Sequence, residues 1–295
     1  MIVVVDSGST KADWKIANEA EEVQSLTTMG FNPVFHSTEL ICNEVEKAFR
    51  DSPVRKEAAF VYYYGAGCWD DKLKKNVYDA LARVFVNAEV EVEHDLLGAA
   101  RSTCGKSAGI ACILGTGSNS CRYDGRKVVD NVTNLGYLVG DEGSGTHLGK
   151  ALIRAYFYRE FPESLKAALD EEYPGGKQAM LGHIYGKETP NVYLASFTRF
   201  IKNHKEHPFF QRLLYNSFAE FIDRHVRKYH NHLSLPIHFI GSVAYHFQDI
   251  IQTVLEERGM LSGIFIQKPI DNLLGFHLAE FAGQSSTAKA NIDED

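Results

Sequence analysis

Two short turns rich in glycine and hydroxyl residues, each ending an apolar strand, constrain this chain more than any other feature. The first, Asp6-Ser7-Gly8-Ser9-Thr10-Lys11, follows Ile2-Val3-Val4-Val5. The second, Gly115-Thr116-Gly117-Ser118-Asn119, follows Ile110-Ala111-Cys112-Ile113-Leu114. After both turns the residues can continue as a second strand, so each is expected to close a hairpin. Turns of this composition expose backbone N–H groups, the donors that cradle phosphate oxygens. One such turn carries little weight. Two at matching depths of two half-chains point to a nucleotide held between two similar lobes.

The length of 295 residues suits two domains. With 31 basic and 38 acidic residues the net charge is -7, and the chain has no basic face of the kind a general nucleic-acid binder needs. Five cysteines, an odd number with no Cys-x-x-Cys pair, read as reduced thiols of a cytoplasmic protein. Met1 leads straight into the first strand, which leaves no room for a signal peptide, and no apolar run approaches the ~20 residues of a membrane span. The expectation is a cytosolic protein with neither membrane nor nucleic acid as partner.

Periodicity gives the element order. Ala12, Trp14 and Ile16 alternate with polar neighbours, a half-buried strand antiparallel to the first. Helices are expected over Thr38–Phe49 and Asp70–Phe85, with strands over Ala58–Tyr64 and around Val90 and Val92. The last strand stops at His94-Asp95, before a short helix over Leu96–Thr103. From Ile110 the strand, turn, strand pattern restarts, with a hairpin turn at Asp124-Gly125. Helices then follow over Ser144–Arg159, Asn191–Asn203 and Phe209–Tyr229. A buried strand, Pro236–Ile240, ends at Gly241-Ser242, and a helix, a strand near Gly263–Ile266 and a helix near Leu273–Phe281 complete the order. Trp14, Trp69 and the run Tyr62-Tyr63-Tyr64 read as core or strand residues, and the polar tail from about Gln284 as frayed.

These motifs reach a recognisable set. Asp6 to Lys11 resembles the first phosphate motif of the sugar kinase, Hsp70 and actin superfamily, Gly115 to Asn119 its second, and Gly241 to Ala244 its adenosine motif. More narrowly, Ile113 to Asn119 together with Gly140-Asp141-Glu142-Gly143-Ser144-Gly145 is similar to the N-acetylglucosamine kinase and BadF/BadG/BcrA/BcrD ATPase family. The resemblance implies an α/β fold of two RNase H-like lobes, each a mixed five-stranded sheet flanked by helices, with ATP and substrate in the cleft between them. The N-terminal lobe is expected over residues 1–106, joined by a C-terminal helix over 272–285, and the second lobe over 107–271. One departure stands out. Thr133-Asn134-Leu135-Gly136 replaces the Gly-Gly-Trp-Gly common in these kinases, which bears on the identity of the sugar.

Each candidate residue has a chemical role and a plainer alternative. Asp6, at a strand end facing the phosphates, suits Mg²⁺, which prefers one or two carboxylates with waters and phosphates; the alternative is an Asx-turn. Ser7, Gly8, Ser9 and Thr10 would offer donors to phosphate, and Lys11 either adds a charge there or is solvated. Gly115, Thr116 and Gly117 would approach the phosphates from the second lobe, and Gly241 and Ser242 the adenosine. Asp95 is the candidate general base, its alternative a helix N-cap before Leu96-Leu97. The resemblance assigns Asp141 to sugar hydroxyls, with Asn32, Ser118 and Asn119 beside it, and leaves Glu142 a structural role. Capping is the plain reading of the two acids.

The expected function is therefore an ATP- and Mg²⁺-dependent kinase acting on a hydroxyl of an amino sugar, N-acetylglucosamine or glucosamine. Two rivals come with the same resemblance: an ATPase that activates a 2-hydroxyacyl-CoA dehydratase through an iron–sulfur cluster, with Cys104, Cys112 and Cys121 as imaginable ligands, and a sugar-responsive ATPase or sensor. A homodimer is left open. The histidines around His225, His230 and His232 lack metal-site spacing and read as surface or capping residues.

Overall fold

A computed structural model describes residues 1–8, 10–18, 22–186 and 189–290, with side chains as far as residue 281. Ser9 lies outside the described residues. The chain divides into two compact units, Met1–Gly105 with the segment from Pro269 onward, and Lys106–Lys268.

The first unit is built on β1 (Ile2–Ser7), β2 (Lys11–Ala17), β3 (Val23–Met29), β4 (Phe60–Gly65) and β5 (Glu89–His94), in the order β3-β2-β1-β4-β5. β1 and β2 form the antiparallel hairpin, while β4 and β5 run parallel to β1. Because side chains alternate along a strand, β1 feeds two cores. Val3 and Val5 join Trp14, Val61 and Tyr63 beneath the helices Thr38–Ala48 and Asp71–Val84. Ile2 and Val4 face the other way, to Ile270, Leu273 and Leu274 of the C-terminal helix Ile270–Ala290. Both helices of the first core end on a phenylalanine that meets Trp14: Phe49 at 5.3 Å and Phe85 at 6.4 Å between ring centroids. Burying such a ring contributes roughly 1.5–3 kcal/mol.

The second unit repeats the plan with β6 (Gly109–Leu114), β7 (Ser118–Tyr123), β8 (Val128–Asp130), β9 (Ile237–Ile240) and β10 (Ser262–Ile266), ordered β10-β9-β6-β7-β8. Reading outward from β6, each strand has its counterpart in the first sheet, in the same direction relative to β1 or β6. This is the pair of mixed five-stranded sheets that the resemblance implies. Ile110, Cys112, Leu114, Ile237 and Phe239 pack on a helical layer whose core includes Phe197, Phe200, Phe210, Phe218 and Phe221.

Several expectations give way. β3 was not foreseen, because Val23–Met29 is an edge strand exposed along most of its length and carries no apolar alternation. Helices Glu163–Glu172 and Gly176–Tyr185 were missed for the same reason: each buries a single residue, Leu169 and Met180. The helix expected over Asn191–Asn203 breaks into Pro190–Ser196 and Thr198–Asn203, where the Thr198 hydroxyl bonds back to the Ala195 carbonyl. Trp69 is 62% exposed in the loop after Gly67, so it is not a core residue. The C-terminal helix continues through Ala290 rather than fraying from Gln284, since no proline interrupts it and its last glycine is Gly283. Among the described residues no helix is long and apolar enough to cross a membrane.

Candidate active site

In the first unit, three parallel strands end in one row, with Ser7, Gly65 and His94 in register across β1, β4 and β5. That edge collects most of the predicted residues of this half. Asp6 stands half-buried one residue before the row, between Asp13 and Tyr64. A single carboxylate at a strand end fits a Mg²⁺ ion whose other positions are filled by phosphates and water. Ser7 does something different from what its sequence suggests. Its hydroxyl is fully buried, accepting from the Phe31 N–H at 2.9 Å and donating to the Phe31 carbonyl at 3.3 Å. It therefore fastens the segment that carries Asn32. The Tyr63 hydroxyl donates to the same carbonyl at 3.2 Å.

Gly8 donates its N–H to the Lys11 carbonyl at 3.0 Å, closing the hairpin, and Thr10 accepts from the Gly30 N–H at 3.1 Å. Lys11 is half-exposed, and its ammonium pairs with Asp13 at 3.1 Å. Asn32 forms an Asx-turn, its side-chain oxygen accepting from the Val34 N–H at 3.0 Å. Gly67 is required beside it, because a Cβ there would lie 2.3 Å from that oxygen.

Asp95 is not the N-cap of its helix. The cap of Asp95–Cys104 is His94, whose Nδ1 accepts from the Leu96 N–H at 3.1 Å. Asp95 is the first helical residue, and its carboxylate keeps out of the cap. Its Oδ1 is buried with no hydrogen-bond partner, although His94 Nδ1 lies only 2.8 Å away. The side chain retains 26% of its exposure, which leaves Oδ2 as the accessible oxygen. The field of Asp95 reaches Cys68, whose thiol burial and this carboxylate push up to about 12.

In the second unit the Gly115–Asn119 turn is locked from three sides. Gly115 N–H closes on the Gly117 carbonyl at 2.9 Å. The first N–H groups of the helix Gly145–Phe157 reach back to it, Gly145 to the Gly115 carbonyl at 2.8 Å and Thr146 to the Thr116 carbonyl at 3.1 Å. Asp141, 7% exposed and in the left-handed region at φ 60°, accepts from the Ser118 N–H at 3.0 Å and from the Asn134 amide at 2.7 Å. Both bonds fall on Oδ1, so Oδ2 is the oxygen left for a ligand. Neither Asp141 nor Glu142 caps the next helix, for that role belongs to Ser144. Gly117 makes room for the carboxylate, since a Cβ there would stand 3.0–3.3 Å from its atoms. The Ser118 hydroxyl is buried without a partner. Asn119 accepts from the Ser120 N–H and the Asn131 amide, at 2.9 and 3.1 Å, which leaves its own amide for a ligand.

Gly241 joins this turn to β9. At φ 112° a Cβ would sit 2.4 Å from the Leu114 carbonyl and 3.3 Å from the Gly115 nitrogen, so only glycine passes. Next to it a cavity of about 200 Å³ is lined by Ser242, Thr198, Arg199, Lys202, His246 and Phe247. A larger one of about 540 Å³, around Arg50–Lys56 with Val84 and Val86, holds none of the predicted residues.

Sequence reasoning missed the supports. Glu142 bonds His225 at 3.1 Å and faces Arg224 at 3.6 Å. Burial pulls its carboxyl up, but its backbone N–H, His225 and Arg224 hold it below the usual range. His225 is thus buried, not on the surface, whereas His207 does cap a helix. His147 accepts from the Gly143 N–H at 3.0 Å, and burial keeps its imidazole below the ordinary value. Lys150 reaches the Tyr137 carbonyl, tying down the segment after Asn134. The departure at Thr133–Gly136 is legible in the sequence; that Asn134 holds the Asp141 carboxylate is not. Among the described residues no group of three or more His, Cys, Asp or Glu converges on a metal position, and none of the five cysteines is joined in a disulfide. Cys112 and Cys121 are buried in β6 and β7, and burial pushes the Cys104 thiol up to about 11.

No protein-family profile and no curated protein matches the chain. Among solved structures it is similar to a candidate N-acetylglucosamine kinase from Porphyromonas gingivalis, 40% identical over 94% of this chain and 98% of that one, with a TM-score of 0.88. A candidate N-acetylglucosamine kinase from Chromobacterium violaceum is 18% identical over 93% and 98% of the two chains, with a TM-score of 0.68. A candidate sugar kinase from Cytophaga hutchinsonii is 16% identical over 94% and 99%, at 0.55. The last two share the fold. At 40% identity over nearly the whole of both chains, the first shows more: this chain belongs to the N-acetylglucosamine kinase family of the sugar kinase, Hsp70 and actin superfamily.

Proposed function

We propose that this protein is a cytoplasmic, ATP- and Mg²⁺-dependent carbohydrate kinase that phosphorylates a hydroxyl of an amino sugar, N-acetylglucosamine or glucosamine. The observation that carries the reading is Asp95, a carboxylate at the end of a parallel strand, released from capping by His94, with one oxygen buried and the other accessible. That is the form a general base needs.

Asp95 Oδ2 accepts the proton of the attacking hydroxyl as its oxygen bonds to the γ-phosphorus and the bond to the ADP leaving oxygen breaks. Mg²⁺ with Asp6 would supply neutralisation of phosphate charge. Thr10 and the Thr116–Gly117 turn would donate to the phosphates, with Gly8 shaping the first turn through its bond to Lys11, while the Gly241-Ser242 turn would border the adenosine. Asp141 Oδ2 accepts from sugar hydroxyls, and the Asn119 amide, the Asn32 amide and the Ser118 hydroxyl complete the polar lining. Asn134, by holding Asp141, is the residue through which the Thr133–Gly136 segment bears on sugar choice.

The test is ADP release with Mg-ATP across hexoses and amino sugars, for the wild type beside Asp95→Asn. Release that requires an amino sugar and falls by roughly 10²-fold or more in Asp95→Asn, with ATP binding intact, is expected. Sugar-independent hydrolysis, or silence across the panel, would overturn the reading.

A further inference from the structure

We propose that His94 is a positioning residue for Asp95: its Nδ1 faces both the Leu96 N–H and Asp95 Oδ1 but can serve only one, so its protonation decides whether the carboxylate is held or released. The inference rests on Asp95 being the base of the reaction above.

An imidazole nitrogen presents either a lone pair or an N–H in the ring plane, never both. The Leu96 N–H, 3.1 Å away, needs the lone pair. Asp95 Oδ1, 2.8 Å away and buried without a donor, needs the N–H. With the proton absent from Nδ1, the helix is capped and two acceptors stand face to face, so the ring does not hold the carboxylate. With the imidazolium formed, Nδ1–H binds Oδ1, the bond to the Leu96 N–H is lost, and Asp95 is held in place by the ring.

The charged and titratable groups around this ring come from four elements. Asp95 begins its own helix, Glu93 ends β5, Lys74 lies in the helix Asp71–Val84 and pairs with Glu93, and the Cys68 thiol stands in the loop after β4. Burial presses the imidazole down. The contact with Asp95 and its charge more than offset this, Lys74 opposing and Glu93 assisting, so the ring titrates above its ordinary value. The sign follows. As pH rises through that value the proton leaves, the cap forms and the carboxylate is released, so turnover rises; as pH falls, the ring takes hold of the carboxylate and turnover drops.

The experiment is the pH profile of kcat for sugar-dependent ADP release in wild type, His94→Asn and His94→Gln, with an NMR titration of the His94 ring in wild type and Asp95→Asn. Asparagine caps helices well and does not titrate, so the helix start survives. Wild type is expected to lose activity severalfold as the pH falls through the titration of His94, which lies above the ordinary imidazole value, and both variants to lose that acid limb. The His94 ring is expected to titrate lower in Asp95→Asn, where the carboxylate that raises it is gone. Profiles of His94→Asn and wild type that overlay would overturn the proposal. If wild type releases no ADP with any sugar, the kinase reading fails on its own. The NMR titration then decides, and a His94 value unchanged in Asp95→Asn sinks the coupling.

Discussion

The two strand-end turns hold matching places in two matching sheets, yet they are built to different degrees of constraint. The Asp6–Lys11 turn is shaped by its own hairpin, with Gly8 closing on Lys11 and space around Gly8 in which a Cβ would meet only the Lys11 carbonyl, at 3.7 Å. The Gly115–Asn119 turn is gripped by a helix start, by the Asp141 carboxylate and by Gly241 pressed against the Leu114 carbonyl. Repetition of the sheet thus supplies two equivalent edges, and the segments that follow each sheet make them different tools. One edge carries a turn held by its own hairpin. The other holds the Asp141 carboxylate by two hydrogen bonds.

The largest effects should separate the two edges by ligand. Asp6→Asn is expected to raise the Mg²⁺ and ATP requirement, lowering kcat/KM for ATP by roughly 10²-fold while sugar binding measured by calorimetry persists. Asp141→Ala should do the reverse, raising the sugar KM by roughly 10²-fold and leaving the Ser118 N–H and Asn134 amide without their acceptor, at about 1–3 kcal/mol each. If both variants weaken both ligands alike, the division between the edges is wrong. Gly241→Ala tests the clamp itself. A side chain at φ 112° with its Cβ 2.4 Å from the Leu114 carbonyl should cost about 3 kcal/mol, read as a lower denaturation midpoint.

The two flanking serines make a smaller and cleaner contrast. Ser7→Ala removes both bonds to Phe31 and should cost about 1–3 kcal/mol of stability, because it strands the buried Phe31 N–H while the carbonyl keeps its bond from Tyr63. Ser118→Ala removes a buried hydroxyl that has no partner, so stability should hold or rise while the sugar KM increases several-fold. Thermal melts and sugar kinetics on the pair decide it. Equal losses of stability would mean that the Ser118 hydroxyl is structural.

Much of this was legible in the sequence, and the limits were physical. Strands buried on both faces, such as β1, and helices with an apolar stripe, such as Asp71–Val84, announce themselves because burial selects their residues. β3 and the helix Gly176–Tyr185 do not, since an exposed edge strand and a helix burying one methionine place no such demand. Within the candidate site, strand ends and motif resemblance single out the carboxylates. Their hydrogen-bond partners were not, because contacts such as Asn134 to Asp141, His225 to Glu142 and Ser7 to Phe31 join residues that spacing along the chain does not relate. His94 was adjacent to Asp95 all along. Only the backbone geometry shows that it, and not the aspartate, caps the helix.

The finest break in the comparison is the pair Gly117→Ala and Gly8→Ala. Neither glycine is held at positive φ, so an added methyl acts through space alone. At Gly117 it would stand 3.0 and 3.1 Å from the two carboxylate oxygens of Asp141, tighter than ordinary contact. The carboxylate must then shift by tenths of an ångström away from the Ser118 N–H, and the oxygen proposed to meet the sugar shifts with it. A loss of about 1.4 kcal/mol in sugar binding, a tenfold rise in KM, is the expected size, with little change in melting temperature. At Gly8 the methyl meets the Lys11 carbonyl at 3.7 Å, an ordinary distance, so the sugar KM should stay within about twofold. Steady-state kinetics with the sugar varied would read both. A Gly8→Ala variant as impaired toward the sugar as Gly117→Ala would mean that the first turn also sets the position of the sugar, and the two edges would then share a task that their hydrogen bonds assign to one.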